Sequence, residues 1–151
     1  MLEKIRQEID KSLALFLEKA RREYKMHLVH PALFESMREF VTRPGKRIRP
    51  TLLILSYKGY SRTKRRLSPS IYYVSTCIEL LHNFMLIHDD IIDRSALRRG
   101  KPTLHRVLAQ AFEVPGAERL GSDLSIVCGD IVYALAIDAF LSIKESSKRK
   151  E

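Results

Sequence analysis

Residues 70–93 read SIYYVSTCIELLHNFMLIHDDIID, an apolar run that closes on three aspartates. Ser68-Pro69 in front of it has the form of an N-cap followed by a proline at the first helical position, which predicts a helix from Ser70 to about Ile92. Upstream, Leu2, Ile5, Ile9, Leu13, Phe16, Leu17, Ala20 and Tyr24 recur at three- and four-residue spacing and predict an amphipathic helix over residues 2–26. Pro31 opens a second helix, carrying Leu33, Phe34, Met37, Phe40 and Val41, and the pair Pro44-Gly45 ends it. Pro50 opens a third, to about Tyr60, and SRTKRRLSPS, residues 61–70, is a polar basic connection. Downstream, DRSALRRGKP (93–102) reads as a loop, Thr103 to Phe112 as a short helix, and Val114-Pro115-Gly116 as a turn. A last long helix spans 117–143 before KESSKRKE, a charged tail over 144–151. No period-two strand pattern and no Asn-Gly hairpin signal occurs, so the expected fold is all-α, one unit over residues 1–143.

With 151 residues, 45% hydrophobic, 30% charged and only 6 Gly and 6 Pro, the chain has enough apolar surface for a buried core, which excludes collagen-like and wholly disordered classes. The longest uninterrupted apolar stretches are Leu52 to Leu55 and Ile131 to Leu141, the second broken by Asp138, so no transmembrane segment is expected. The N-terminus is charged from its third residue and lacks the apolar core of a secretory signal. Cys77 and Cys128 sit inside apolar helical runs, as buried thiols do, and a reducing cytoplasm is the expected compartment.

The net charge of +9 is concentrated: residues 43–106 carry 14 Lys/Arg against 4 Asp/Glu. Such a block points to an anionic partner. The aromatics Phe16, Phe34, Phe40, Tyr72, Tyr73 and Phe84 fall on apolar helical stripes rather than between the basic residues, so nucleic acid is not the expected partner.

Asp89, Asp90 and Asp93 stand at i, i+1 and i+4, which puts the first and third one turn apart on one helix face. Three like charges repel, and the C-terminal end of the helix dipole repels anions further, so the arrangement calls for a cation. Carboxylates together with phosphate oxygens suit Mg²⁺; an exposed acidic helix end is the plain alternative. Two basic packets flank the cluster: Gly45-Lys46-Arg47-Ile48-Arg49-Pro50 before it, and Arg98, Arg99 and Lys101 around Gly100 after it. Arg presents a planar fork to phosphate oxygens and Lys a compact charge, so two packets suit two phosphorylated groups. Lys64, Arg65 and Arg66 read as solubilising surface charge.

GKRIRP (45–50), ELLHNFMLIHDDIID (79–93) and RRGKPTLH (98–105), in this order, resemble the N-terminal half of a trans-isoprenyl diphosphate synthase of the polyprenyl synthetase family. GSDLSIVCGDIVYALA (121–136) resembles the family helix that follows. The resemblance covers essentially the whole chain but only about the first half of a family domain. It implies a helical bundle of the isoprenoid synthase type, incomplete here, with diphosphates bound at the mouth of an apolar cavity. By motif match, Asp89, Asp90 and Asp93 would bind Mg²⁺ bridging to an allylic diphosphate, and Arg98 would contact that diphosphate. Gly45, Lys46, Arg49, His82 and Arg99 would hold isopentenyl diphosphate for head-to-tail chain elongation. His82 precedes Asp89 by two helical turns and so shares its face, although a histidine bonded in the core is the other reading. The family assigns chain-length control to Phe84 and Met85. An ideal helical wheel instead puts Met85, Leu81 and Ile78 beneath Asp89 and points Phe84 away; ordinary core packing is the other account of each.

No second DDxxD motif occurs in these residues. The chain alone is therefore not expected to be a competent synthase. It reads as a fragment, one half of a split enzyme, or a small subunit, and the lysine-rich close resembles a finished terminus. The apolar stripe of residues 124–141 is expected to be buried against a complementary or identical chain. A non-catalytic, diphosphate-binding regulatory subunit of a heteromeric synthase is the alternative.

Overall fold

The computed structural model describes residues 1–61, 67–112 and 114–143. The basic triplet Lys64, Arg65 and Arg66 and the tail 144–151 lie outside the described residues.

Among the described residues six helices carry the architecture: α1 (Leu2–Glu23), α2 (Pro31–Thr42), α3 (Ile48–Tyr60), α4 (Pro69–Ile92), α5 (Leu104–Ala111) and α6 (Ala117–Leu141), with one 3₁₀ turn at Met26–Leu28 after α1. The all-α expectation holds. The stripe of α1 does what its spacing demands, burying Ile5, Ile9, Leu13, Phe16, Leu17 and Ala20, while the terminal Leu2 and Tyr24 stay exposed. Ser68 caps α4 by accepting the Ser70 N–H at 3.3 Å, with Pro69 behind it. α3 starts two residues before Pro50, because Arg47 takes a left-handed conformation that turns the chain into the helix at Ile48.

The long helices α4 and α6 lie side by side with α5 across α6, and α1 and α2 close the other side. The main core joins Leu13, Phe16 and Leu17 of α1, Phe34 and Met37 of α2, Leu80 and Ile87 of α4, Leu104 and Leu108 of α5, and Val132, Leu135 and Ala136 of α6. A smaller cluster, Ile5, Ile9, Ile54 and Ile71, fastens α3 to the starts of α1 and α4. Glycines permit the closest helix approach: a Cβ on Gly121 would stand 2.4 Å from the His105 carbonyl oxygen, and one on Gly129 would stand 2.3 Å from the His88 ring.

Two expectations need correction. The stretch 93–102 is not a plain loop. Leu97–Arg98 (β1) pairs antiparallel with Lys101–Pro102 (β2), and Arg99 and Gly100 both have positive φ (54° and 75°), as a two-residue primed turn requires. Two-residue strands are too short for alternation to show, and the Arg-Gly pair lacks the Asn or Asp that marks such turns. The other concerns only the length of the apolar stretch: α6 reaches the measure of a membrane span by length and composition, as a core helix can, and nothing in its setting shows that it crosses a membrane. Uninterrupted runs understate it, since Asp130 and Asp138 interrupt an otherwise apolar helix. One side of α6 is core, burying Cys128, Val132, Leu135, Ala136 and Ala139; the other exposes Ile126, Val127, Tyr133, Ile137, Phe140 and Leu141. Only this second face of the 124–141 stripe is open. Cys77 and Cys128 are buried free thiols, the latter pushed up to about 11 by burial.

Candidate active site: an acidic helix end beside a cluster of unpaired cations

α4 ends where its aspartates sit. Arg94 takes a left-handed conformation (φ 51°), the Ser95 N–H reaches back to the Asp90 carbonyl at 2.9 Å, and the Arg94 N–H donates to the Ile91 carbonyl at 3.1 Å. This is the pattern of a Schellman cap, and it reverses the chain into the hairpin. The reversal brings Arg98 back over the helix end. Its Nε and Nη2 donate to Asp90 Oδ1 at 2.9 and 2.5 Å, and this bond raises the Arg98 guanidinium further above its ordinary value.

The three aspartates therefore divide. Asp89 and Asp93 are exposed; Asp90 is buried and faces Arg98. Among the described residues no three His, Cys, Asp or Glu side chains converge into a ready-made cation cage. The donor set nevertheless fits a hard divalent cation: Asp90 Oδ2 is buried without a hydrogen-bond partner, and two exposed carboxylates lie beside it on the same helix end. Mg²⁺ is commonly held by one or two carboxylates and completes its shell with phosphate and water.

The second pole faces the hairpin's other arginine. Arg99 rests on Gly45 so closely that a Cβ there would stand 2.7 Å from Nη1, and Nη1 donates to the Arg43 carbonyl at 3.1 Å. Burial and repulsion from Arg47 lower the Arg99 guanidinium from its ordinary value. Arg49, in the first turn of α3, lies 3.2 Å through Nη1 from His82 Nε2 on α4. Burial, followed by the positive charges of Arg49 and Arg99, lowers His82 below the usual histidine range. Gly45, Arg49, His82 and Arg99 thus form one neighbourhood. Lys46 is exposed beside them but turns toward a groove lined by Leu2, Glu3, Arg6 and Leu52.

The pairing of the remaining charges distinguishes this cluster. Arg43 binds Glu39 at 2.7 Å and the Pro102 carbonyl at 2.8 Å, and Lys101 binds the same Glu39 at 2.8 Å. Burial works against Glu39, but its bonds to Arg43 and Lys101 hold it below the usual carboxylate range. Arg47 is fully engaged with Asp10 and Glu79. Lys46, Arg49 and Arg99 make no ion pair among the described residues. Sequence reasoning missed Arg43, Arg47 and Glu79 as the frame beneath the site. The available signal was Glu79 itself, a lone acid in an apolar helix, which needs a buried cation as its partner.

Of the three residues connected with chain length, Leu81 and Phe84 are half-buried and Met85 is exposed. Phe84 does point away from Asp89, toward α6: its ring lies 5.2 Å from that of Tyr133 and 4.7 Å from that of His88.

Residues 30–150 match the family model described as polyprenyl synthetase. The chain belongs to the polyprenyl synthetase family. A short chain isoprenyl diphosphate synthase of Methanocaldococcus jannaschii is 32% identical over 147 residues, 97% of this chain and 37% of that protein. A geranylgeranyl diphosphate synthase of Sulfolobus acidocaldarius is 36% identical over 106 residues, 70% of this chain and 27% of that one. Among solved structures, geranylgeranyl pyrophosphate synthase from Corynebacterium glutamicum, complexed with isoprenyl diphosphate and magnesium, superposes with a TM-score of 0.81 at 31% identity, over 97% of this chain and 43% of that chain. This polyprenyl synthetase chain therefore has the isoprenoid synthase fold, and it spans less than half the length of each of these relatives.

Proposed function

We propose that the chain supplies the diphosphate-binding half of a trans-prenyltransferase, with its acidic pole taking an allylic diphosphate and its basic pole isopentenyl diphosphate. One observation carries the reading: Arg49 and Arg99 are exposed and make no ion pair among the described residues, near a helix end that carries a buried carboxylate oxygen without a hydrogen-bond partner. Asp89, Asp90 and Asp93 are the residues that would hold Mg²⁺, and with it an allylic diphosphate. When bound, the metal supplies Lewis-acid stabilisation of the leaving diphosphate. Asp90 Oδ1 orients Arg98 through Nε and Nη2, and the remaining Nη1 meets the same diphosphate. Arg49 and Arg99 grip the second diphosphate with planar forks; His82, kept neutral at pH 7, bonds to Arg49 without adding charge. Held this way, the allylic C–O bond ionises and releases diphosphate, the isopentenyl alkene attacks the resulting cation, and the condensed cation loses a proton to the released diphosphate to give the product. Leu81 and Met85 bound the space below the aspartates and, with Phe84 turned toward Tyr133 of α6, limit chain length.

The second aspartate-rich motif, which these 151 residues lack, has to come from other residues, such as those of a complementary chain, and the exposed α6 face is where they would pack. A regulatory subunit that binds diphosphate without turnover is the alternative, favoured by the lack of a second DDxxD motif in these residues. The test is prenyl transfer from an allylic diphosphate with and without a complementary chain, alongside titration of the chain alone with each diphosphate and Mg²⁺. Binding by the chain alone with turnover only in the mixture supports the reading. Binding without turnover in any mixture selects the regulatory role, and no binding refutes both.

A further inference from the structure

Of the three cations in residues 45–50, Lys46 and Arg49 face solvent, whereas Arg47 is 3% exposed. Its backbone lies in the left-handed region, at φ 47°, a conformation unfavourable for a residue with a Cβ. All three of its guanidinium nitrogens are engaged: Nε donates to Asp10 Oδ1 on α1 at 2.7 Å, Nη1 to Glu79 Oε1 on α4 at 2.5 Å, and Nη2 to the Arg43 carbonyl at 3.0 Å. That carbonyl is the same one that accepts Arg99 Nη1 at 3.1 Å. One oxygen therefore joins a buried guanidinium to the exposed one that crosses over from the hairpin.

A buried ion pair adds little stability over apolar side chains of similar volume, so packing alone does not account for Arg47. Geometry does. We propose that Arg47 is a positioning residue for the diphosphate-binding cations. By fixing the Arg43 carbonyl, it fixes where Arg99 docks on Gly45. By holding residue 47 inward in the left-handed region, it turns Lys46 and Arg49 outward on either side. It contacts no diphosphate itself, since Asp10 and Glu79 neutralise its charge in place. The inference deepens the diphosphate reading above and rests on it for the ligand, though not for the geometry.

Arg47→Lys keeps a cation beside Glu79, so the core is not left with an unpaired charge, but an ammonium lacks the fork that reaches Asp10, Glu79 and the Arg43 carbonyl together. The probe is inorganic pyrophosphate, titrated calorimetrically into the full chain well below its unfolding temperature. In parallel, nitrogen-15 NMR follows the Arg99 side-chain Nε–H and the Gly45 amide. The expected result is at least tenfold weaker pyrophosphate binding in Arg47→Lys, with shifted or broadened Arg99 and Gly45 signals at unchanged helicity. Asp10→Asn, which retains the Glu79 and Arg43 contacts, is expected to stay within twofold of the parent chain. Unmoved Arg99 and Gly45 signals in Arg47→Lys overturn the proposal, as do equal losses in the two variants. Should the parent chain fail to bind pyrophosphate, the diphosphate reading falls, and the NMR comparison still decides whether Arg47 positions Arg99.

Discussion

Gly45→Ala separates the stability of this fold from its ligand chemistry. Gly45 does not have positive φ, so its backbone accepts an alanine. The added Cβ would meet Arg99 Nη1 at 2.7 Å and Cζ at 2.9 Å, closer than side chains tolerate. What it meets is the far end of a flexible side chain, and Arg99 can swing away. That movement breaks the bond to the Arg43 carbonyl, worth about 0.5–1.5 kcal/mol. Alanine returns about 0.4–1 kcal/mol by restricting the unfolded chain. The two nearly cancel, and urea unfolding should place the variant within about 1 kcal/mol of the parent chain. Binding should behave differently. Displacing Arg99 removes a charge-assisted phosphate contact of about 1.5–3 kcal/mol, a loss of about ten- to a hundredfold in affinity for isopentenyl diphosphate by calorimetry. Unchanged affinity would refute the assignment of Arg99 to that ligand. A stability loss above about 2 kcal/mol would refute the geometric argument, because it would mean that Arg99 cannot move aside.

The other glycines are expected to reverse the pattern. In Gly129→Ala the new Cβ meets the His88 ring, itself packed on Phe84, and in Gly121→Ala it meets the backbone of His105 and Ala109. Thermal unfolding should show losses of about 1–3 kcal/mol for the first and more for the second, and an unshifted midpoint in either would count against the close helix packing. Replacing Asp89 and Asp93 together by Ala should abolish the Mg²⁺ dependence of allylic diphosphate binding, and an unchanged titration would remove the metal site from the reading. Arg49→Gln should weaken isopentenyl diphosphate most and Arg98→Gln the allylic diphosphate. Equal losses for both ligands, with tight oligonucleotide binding that falls steeply with salt, would restore a nucleic-acid partner. Acid should destabilise the fold through its histidines: burial, then Arg49, lowers His82, and burial, then Arg106, lowers His105. Below their unfolded value of 6.5 the unfolded chain takes up protons that the folded imidazoles resist, so this contribution is intact above that value and is lost as pH falls through the depressed folded ones. The urea midpoint should thus be lower at about pH 5.5 than at about pH 7.5, and His82→Gln with His105→Gln should narrow the gap; a flat profile would contradict it.

Local rules acting over a few residues were enough to read most of the fold and the inventory of the site. Helix spacing in α1, the Ser68-Pro69 cap and the apolar run ending in Asp89, Asp90 and Asp93 are short-range properties, and the motifs at 45–50, 79–93 and 98–105 named the family. What the sequence left open depends on contacts between distant segments. Arg47 and Glu79 lie 32 positions apart and Arg43 and Arg99 lie 56 apart, and no period relates them. Only the folded chain decides that Arg47 goes inward and Arg49 outward, although both are arginines of one short stretch. In the same way, Asp90 turns onto Arg98 while Asp89 and Asp93 stay in solvent. The physical reason is desolvation: a charge enters a protein interior only where an opposite charge is already held in place, and tertiary packing alone determines where that is.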